Sequence, residues 1–231
     1  MARHIGIVAC SAEGAALCYR TICTEAPHEM GEHNHPEITM HTFPLATYMV
    51  AIRAGRWEEV GRLMLASAHK VAQAGADFAI CPDNTIHQAF DFVVRDSPIP
   101  WLHIARVVAE EAKRRGFRRL GILGTKYLMV GPVYPQALQE YGIASEIPDE
   151  RERERIDRLI FSELVNGVFL QSSRLSFADV IARFRDRGCD AVVLGCTEIP
   201  LIVEPDSSLL PTLDSTRLLA RAALRRALGK D

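Results

Sequence analysis

The 231-residue chain has no long apolar run, no surplus of charge of either sign, no paired cysteines and no low-complexity linker. Each absence removes a class of protein. No apolar stretch approaches the roughly 18 residues needed to cross a bilayer, and the opening MARHIGIVAC lacks the apolar core and small-residue cleavage site of a secretory signal. The expectation is a soluble, cytoplasmic protein with no membrane partner. With 27 Lys and Arg set against 29 Asp and Glu, the chain lacks the basic footprint of a protein that neutralises many phosphates, so no nucleic-acid partner is expected. Six cysteines, at 10, 18, 23, 81, 189 and 196, are too sparse for a disulfide scaffold and include no Cys-x-x-Cys.

What is present is alternation. Short apolar runs of strand length (Ile5 to Ala9, Ile38 to Thr42, Phe78 to Cys81, Leu120 to Leu123, Ala191 to Leu194) are separated by segments with helical apolar spacing, such as Trp57 to Ala74, Leu102 to Arg115 and Phe177 to Arg187. Such alternation predicts βαβ units and largely parallel sheets covered by helices on both faces. Gly75, Gly116 and Gly188 sit where helices should end. The charge run Asp149 to Arg158, after Pro148, reads as a solvated helix start.

A shift of about 113 residues lays one half of the chain over the other. IGIV at 5 to 8 matches LGIL at 120 to 123; GADFAICPDNT from Gly75 matches GCDAVVLGCTE from Gly188, with Asp77 over Asp190; SPIPWLHIARVVAEEA from Ser97 resembles LLPTLDSTRLLARAAL from Leu209. The repeat predicts two pseudo-symmetric three-layer α/β domains, 1–101 with 216–231 and 102–215, the C-terminal helix returning to the first. A ligand site is expected in the cleft between them, because parallel strands place ligands at their C-terminal ends and domain interfaces are favoured sites.

In this alignment Asp83 falls on Cys196, each eight residues past its glycine and just beyond its strand. Proton abstraction at carbon with return from the other face needs a base on one side and an acid on the other. A thiolate suits the first role where nearby amides stabilise it, and a carboxylic acid suits the second. The plainer readings are a small packed residue for Cys196 and an Asx-turn or helix cap for Asp83, and a cap can coexist with catalysis. Cys10, Cys18, Cys23 and Cys81 read as packing residues. The stretch holding His28, His33, His35 and His41 matches no ligand spacing and reads as an exposed loop, so no metal is expected. His87, three residues after Asn84, lies along the same helix start and could polarise the site.

The segments IGIVACSAEGAA, CPDNTIH, LGILGTKYLM, GCTEIPLI and LDSTRLLARAAL, in this order and spacing, resemble the PLP-independent aspartate/glutamate racemase superfamily over nearly the whole chain. The resemblance implies two pseudo-symmetric α/β domains, no cofactor, no metal, a homodimer, and racemisation of a small amino-acid or carboxylate substrate by deprotonation and reprotonation at Cα. Its second catalytic cysteine corresponds to Cys196; its first, in a Cys-Asn-Thr motif, is replaced by Asp83. The flanking Asn84, Thr85, Thr197 and Glu198, together with Ser11 and Thr125 in the turns after the first strand of each half, are the substrate-binding residues it implies.

Two departures bear on function. Asp83 removes the symmetric thiol pair, which leaves one-sided proton transfer open, and with it a decarboxylase or cis/trans isomerase of a small dicarboxylate using Cys196 alone, or a non-catalytic binding protein. In Pro44-Leu45-Ala46-Thr47, aspartate-racemising relatives commonly carry an arginine that grips a second carboxylate; Ala46 cannot, and Arg53 is the substitute at hand. The substrate is therefore expected to differ from aspartate and glutamate.

Overall fold

The computed structural model describes residues 2–230. They form two compact units, one comprising the chain up to Val107 with the segment from Thr216 onward, the other Val108–Ser215.

The first unit runs β1 (Ile5–Ala9), α1 (Ala12–Glu25), α2 (Pro27–Met30), β2 (Ile38–Thr42), α3 (Leu45–Arg53), α4 (Trp57–Gln73), β3 (Phe78–Ile80), a 3-10 turn (Thr85–Ala89), α5 (Phe90–Val94), β4 (Trp101–Leu102) and the start of α6 (Ile104–Arg114). The second runs β5 (Arg119–Leu123), α7 (Lys126–Val130), α8 (Val133–Gln139), β6 (Ala144–Glu146), α9 (Glu150–Ser162), α10 (Gln171–Asp186), β7 (Ala191–Leu194) and β8 (Thr212–Asp214), after which α11 (Ser215–Ala227) follows. Each unit has one four-stranded, wholly parallel sheet, in the orders β2-β1-β3-β4 and β6-β5-β7-β8. This is the α/β architecture expected from the alternation.

Four of the five apolar runs become the inner strands for a simple reason, while the fifth, Ile38–Thr42, is the edge strand β2 with half-buried and exposed residues. A parallel strand with helices on both faces buries every side chain, so it reads as a continuous apolar run. All five residues of β1 and all four of β7 are buried. In the first unit Ile5, Ile7, Phe78 and Ile80 pack with Cys18 and Ile22 of α1 and with Leu219, Ala220 and Ala223 of α11. In the second, Leu123, Val192 and Leu194 pack with Phe177, Ile181 and Phe184 of α10 and with Ile156 and Ile160 of α9. Burying a side chain the size of Phe184 contributes about 2 kcal/mol.

Asp77 and Asp190, superposed by the repeat, do the same job. Asp77 Oδ2 accepts the N–H of His4 at 2.7 Å, just before β1; Asp190 Oδ2 accepts those of Arg118 and Arg119 at 2.6 and 2.9 Å, at the start of β5. Gly75, Gly116 and Gly188 adopt φ of 99, 78 and 79°, the left-handed geometry that ends a helix without steric penalty.

Four points differ from the reading of the sequence. β4, β6 and β8 have two or three residues each and mixed burial, so no apolar run announces them. The segment taken as one helix from Leu102 is a strand end followed by α6 from Ile104. The run from Asp149 does open α9, with a capping box between Asp149 and Glu152, but Glu152 is buried and paired with Arg183 of α10 and with Arg187, so it is not simply solvated. His41, taken as part of an exposed loop, is half-buried in β2, bonded to Ser67 Oγ at 2.9 Å and to Lys70 Nζ at 3.0 Å.

Candidate active site

The order β2-β1-β3-β4 means that the chain leaves β1 for one side of the sheet and comes back to the other side at β3. The ends of β1 and β3 therefore flank the point where strand order reverses, which is where open α/β sheets bind ligands. In the second unit β5 and β7 hold the same places. Register gives the equivalence residue by residue: Ile7 pairs with Ile80, Ile122 with Val193, and three residues past these partners stand Asp83 and Cys196.

In the first unit, Ser11 follows β1 as the N-cap of α1, its hydroxyl accepting the Gly14 N–H at 3.2 Å. Asp83 follows β3, half-buried, and Oδ1 accepts the Ile86 N–H at 3.2 Å, an Asx-type bond into the first turn of the 3-10 segment, whose N-cap residue is Asn84. Asn84 is buried and Thr85 half-buried at the same turn. The Asp83 carbonyl accepts Nδ1–H of His87 at 2.7 Å, and His87 Nε2 accepts the Ile104 N–H at 3.3 Å. These bonds assign the neutral Nδ1–H tautomer. Burial pushes the ring's pKa down to about 4. His103, 4.7 Å from His87 between ring centroids, caps α6 through Nδ1, which accepts the N–H groups of Ala105 and Arg106 at 3.2 and 3.4 Å; burial, then His87 and Arg106, push its pKa down to about 2. Both imidazoles are uncharged at neutral pH. The Cys81 thiol, fully enclosed with Sγ 4.0 Å from the Asp83 carbonyl, is pushed well above the ordinary thiol range by burial and by the Asp83 carboxylate, which leaves it a protonated core residue.

Tyr48, on α3, is also fully buried. Among the described residues its hydroxyl meets no partner at hydrogen-bonding geometry, although Ser67 Oγ lies nearby. Burial, then Cys81 and Cys10, raise its pKa beyond the ordinary tyrosine range.

In the second unit, Thr125 follows β5 as the N-cap of α7 and accepts the Leu128 N–H at 3.3 Å. Gly195 continues the ladder past β7, donating its N–H to the Leu123 carbonyl at 2.7 Å; a Cβ at this position would sit 2.9 Å from that same oxygen, so only glycine lets the two loops approach this closely. The next residue, Cys196, is half-buried and its thiol donates to Glu198 Oε2 at 2.9 Å. Thr197 donates its hydroxyl to the same oxygen at 2.8 Å. Thr197 and Glu198 are buried, so one carboxylate oxygen holds both thiol and hydroxyl in place.

The fold thus brings Ser11, Asp83, Asn84 and Thr85 to one strand-order reversal and Thr125, Cys196, Thr197 and Glu198 to the other. It does not bring Arg53 to Ala46: Arg53 ends α3, seven residues or about 10 Å along the helix, and is exposed. Arg62 of α4 is the cation that shares with Ala46 and Val50 a surface cavity of about 690 Å³. Sequence reasoning missed the Glu198 hydrogen bond to the thiol and the two hydrogen bonds of the His87 ring. The signal for the first was only the spacing Cys-Thr-Glu, and the second needs Ile104, 17 residues away, to be adjacent. Among the described residues no group of three His, Cys, Asp or Glu side chains is placed to hold a metal ion.

Residues 5–223 match the family described as Asp/Glu/Hydantoin racemase. The chain is 20% identical over 196 residues to the broad specificity amino-acid racemase RacX of Bacillus subtilis, covering 85% of this chain and 84% of that protein. Among solved structures, a Yersinia pestis protein provisionally named an Asp/Glu racemase superposes with a TM-score of 0.90 at 28% identity, over 98% of this chain and 99% of that one. An aspartate racemase homologue from Pyrococcus horikoshii gives 0.85 at 27% identity, over 99% and 100%. With its two parallel sheets, its strand-end loops and these likenesses, the chain is an amino-acid racemase, an isomerase, and belongs to the Asp/Glu/hydantoin racemase family.

Proposed function

We propose that the enzyme inverts an amino acid at the carbon next to its carboxylate without a cofactor, with Cys196 and Asp83 as the two proton-transfer groups. The observation that supports this most is the register equivalence of the two residues at the two strand-order reversals. In the forward direction the Cys196 thiol passes its proton to Glu198 Oε2, the acceptor already bonded to it, and the thiolate removes the α-hydrogen. The electron pair left on carbon delocalises into the substrate carboxylate, where backbone donors of the strand-end turns and the Asn84 and Thr85 side chains stabilise it, while Thr197 stays bonded to Glu198. Asp83, entering protonated, returns a hydrogen from the other face and leaves as carboxylate. Reversal exchanges the roles. Because enantiomers have equal free energy, kcat/KM is equal in the two directions; a thiol opposite a carboxyl shows its asymmetry in kcat and KM taken separately.

The substrate is proposed to lack a second carboxylate. Segments 10–14, 43–47 and 81–85, which follow β1, β2 and β3, contain no Lys or Arg. A second carboxylate would find no guanidinium within these segments, and Arg62, which borders Ala46 from α4, is paired with Glu58, whereas Phe43, Leu45 and Ala46 suit a neutral side chain. The breadth ascribed to RacX is consistent with this.

The test is incubation with L- and D-amino acids in heavy water, following α-hydrogen exchange by NMR and inversion by chiral chromatography. The expected result is exchange with inversion, abolished in Cys196→Ala. Inversion that survives this substitution would overturn the assignment, and carbon dioxide release from an aryl- or alkylmalonate without amino-acid inversion would replace the reaction.

A further inference from the structure

His87 is 3% exposed and has no place in the proton transfers proposed above. Its two ring nitrogens are nevertheless both committed, and to different parts of the fold. Nδ1–H holds the carbonyl of Asp83 at 2.7 Å; Nε2 holds the N–H of Ile104, the first residue of α6, at 3.3 Å. The ring is further fixed by stacking on Phe90, centroids 5.4 Å apart, and by its edge contact with His103.

The Asp83 side chain accepts the Ile86 N–H on Oδ1 at 3.2 Å, a bond that itself depends on the backbone of the turn. A carboxyl that must meet a carbon atom within hydrogen-bonding reach needs its Cα held to a fraction of an ångström. The carbonyl of the same residue is the atom His87 grips.

We infer that His87 is the positioning residue for Asp83: it clamps the Asp83 backbone to the start of α6 and thereby aims the carboxyl at the substrate, without itself touching substrate or carrying a proton. The inference rests on the racemase reading and adds to it a residue with a one-sided effect. Loss of the clamp disables the Asp83 face of the reaction and spares the Cys196 face, which is built from the other unit.

The chemistry of the ring offers a clean pair of variants. In His87→Asn the side-chain amide nitrogen occupies the place of Nδ1 and keeps the bond to Asp83 while Ile104 loses its acceptor. In His87→Gln the amide oxygen occupies the place of Nε2 and keeps the Ile104 bond while the Asp83 carbonyl loses its donor. Each variant gives up one buried hydrogen bond, so a merely structural role predicts similar losses of stability and of activity in both. Positioning predicts that His87→Asn inverts its amino-acid substrate within about fivefold of the wild-type kcat, and that His87→Gln loses at least about 50-fold in kcat with KM little changed. His87→Gln should also continue to exchange the α-deuteron of the enantiomer that Cys196 deprotonates, without inverting it, within about threefold of wild type.

The substrates used are α-deuterated L and D forms of alanine, serine, methionine and lysine, followed by NMR, with melting temperatures measured in parallel. Equal loss of inversion in the two variants, or loss of exchange and inversion together in His87→Gln, overturns the positioning role. A wild-type enzyme that exchanges and inverts while both variants match it also overturns it. Wild-type protein that does neither with any amino acid overturns the racemase reading instead, and the role with it.

Discussion

Acid should unfold the first unit before the second, and the reason lies in two buried imidazoles. His87 and His103 have folded pKa values pushed down to about 4 and about 2 from an ordinary 6.5. In the unfolded chain both take up protons as pH falls through 6.5; in the folded unit they do not until pH reaches the lower values. Stability is therefore complete above pH 6.5 and lost as pH falls toward the folded pKa. Each group contributes about 1.4 kcal/mol per pH unit in that window, so the two together give about 2.7 kcal/mol per unit, or about 5 kcal/mol between pH 6.5 and 4.5. That is comparable with the whole stability of a typical domain. In the first unit Glu29, held below the usual carboxylate values by its Lys230 hydrogen bond, gives up its contribution only at still lower pH.

The assay follows from composition, because the two tryptophans, Trp57 and Trp101, both lie in the first unit. Urea unfolding followed by tryptophan fluorescence at pH 7.5, 6.5, 5.5 and 4.5 reads that unit alone. His103→Asn keeps a capping side chain for α6 and removes one titrating group, so its slope should fall below that of the wild type by about 1.4 kcal/mol per pH unit. A wild-type slope below about 0.5 kcal/mol per pH unit, or a slope unchanged in His103→Asn, would refute the reasoning.

Two other outcomes follow from single residues. Tyr48→Phe removes a buried hydroxyl that meets no partner at hydrogen-bonding geometry among the described residues, so unfolding free energy should be unchanged or rise by up to about 1 kcal/mol; a loss above about 1 kcal/mol in urea titration would show that the hydroxyl has a partner. Ala46→Arg places a guanidinium in the first turn of α3, and should raise kcat/KM for aspartate relative to methionine by at least about tenfold; an unchanged ratio in competition assays would separate this position from substrate recognition.

Comparing the halves of the chain with each other is the step in which sequence carried furthest. Parallel strands buried on both faces must be apolar throughout, so β1, β3, β5 and β7 declared themselves, and the residues beyond them could be aligned without coordinates. The alternation of strands and helices, the three helix-ending glycines and the pairing of Asp83 with Cys196 all rest on local pattern of this kind. The short edge strands β4, β6 and β8 left no such mark, because their pairing is decided by the neighbour that fills the sheet edge.

The sites divide in the same way. That Asp83 and Cys196 follow matching strands was legible from spacing; that His87 ties the Asp83 carbonyl to the start of α6 was not, since Ile104 comes beside the turn only because β3 and β4 are neighbours. Likewise Glu198 is two residues from Cys196 in any conformation, but only the backbone course after Gly195 turns its carboxylate onto the thiol. Sequence by itself determined the repeat, the parallel sheets and the residue types at the two strand ends, because burial and chain period act locally. Tertiary structure alone decided which polar atoms meet there, because hydrogen bonds between distant segments depend on the sheet order that brings those segments together.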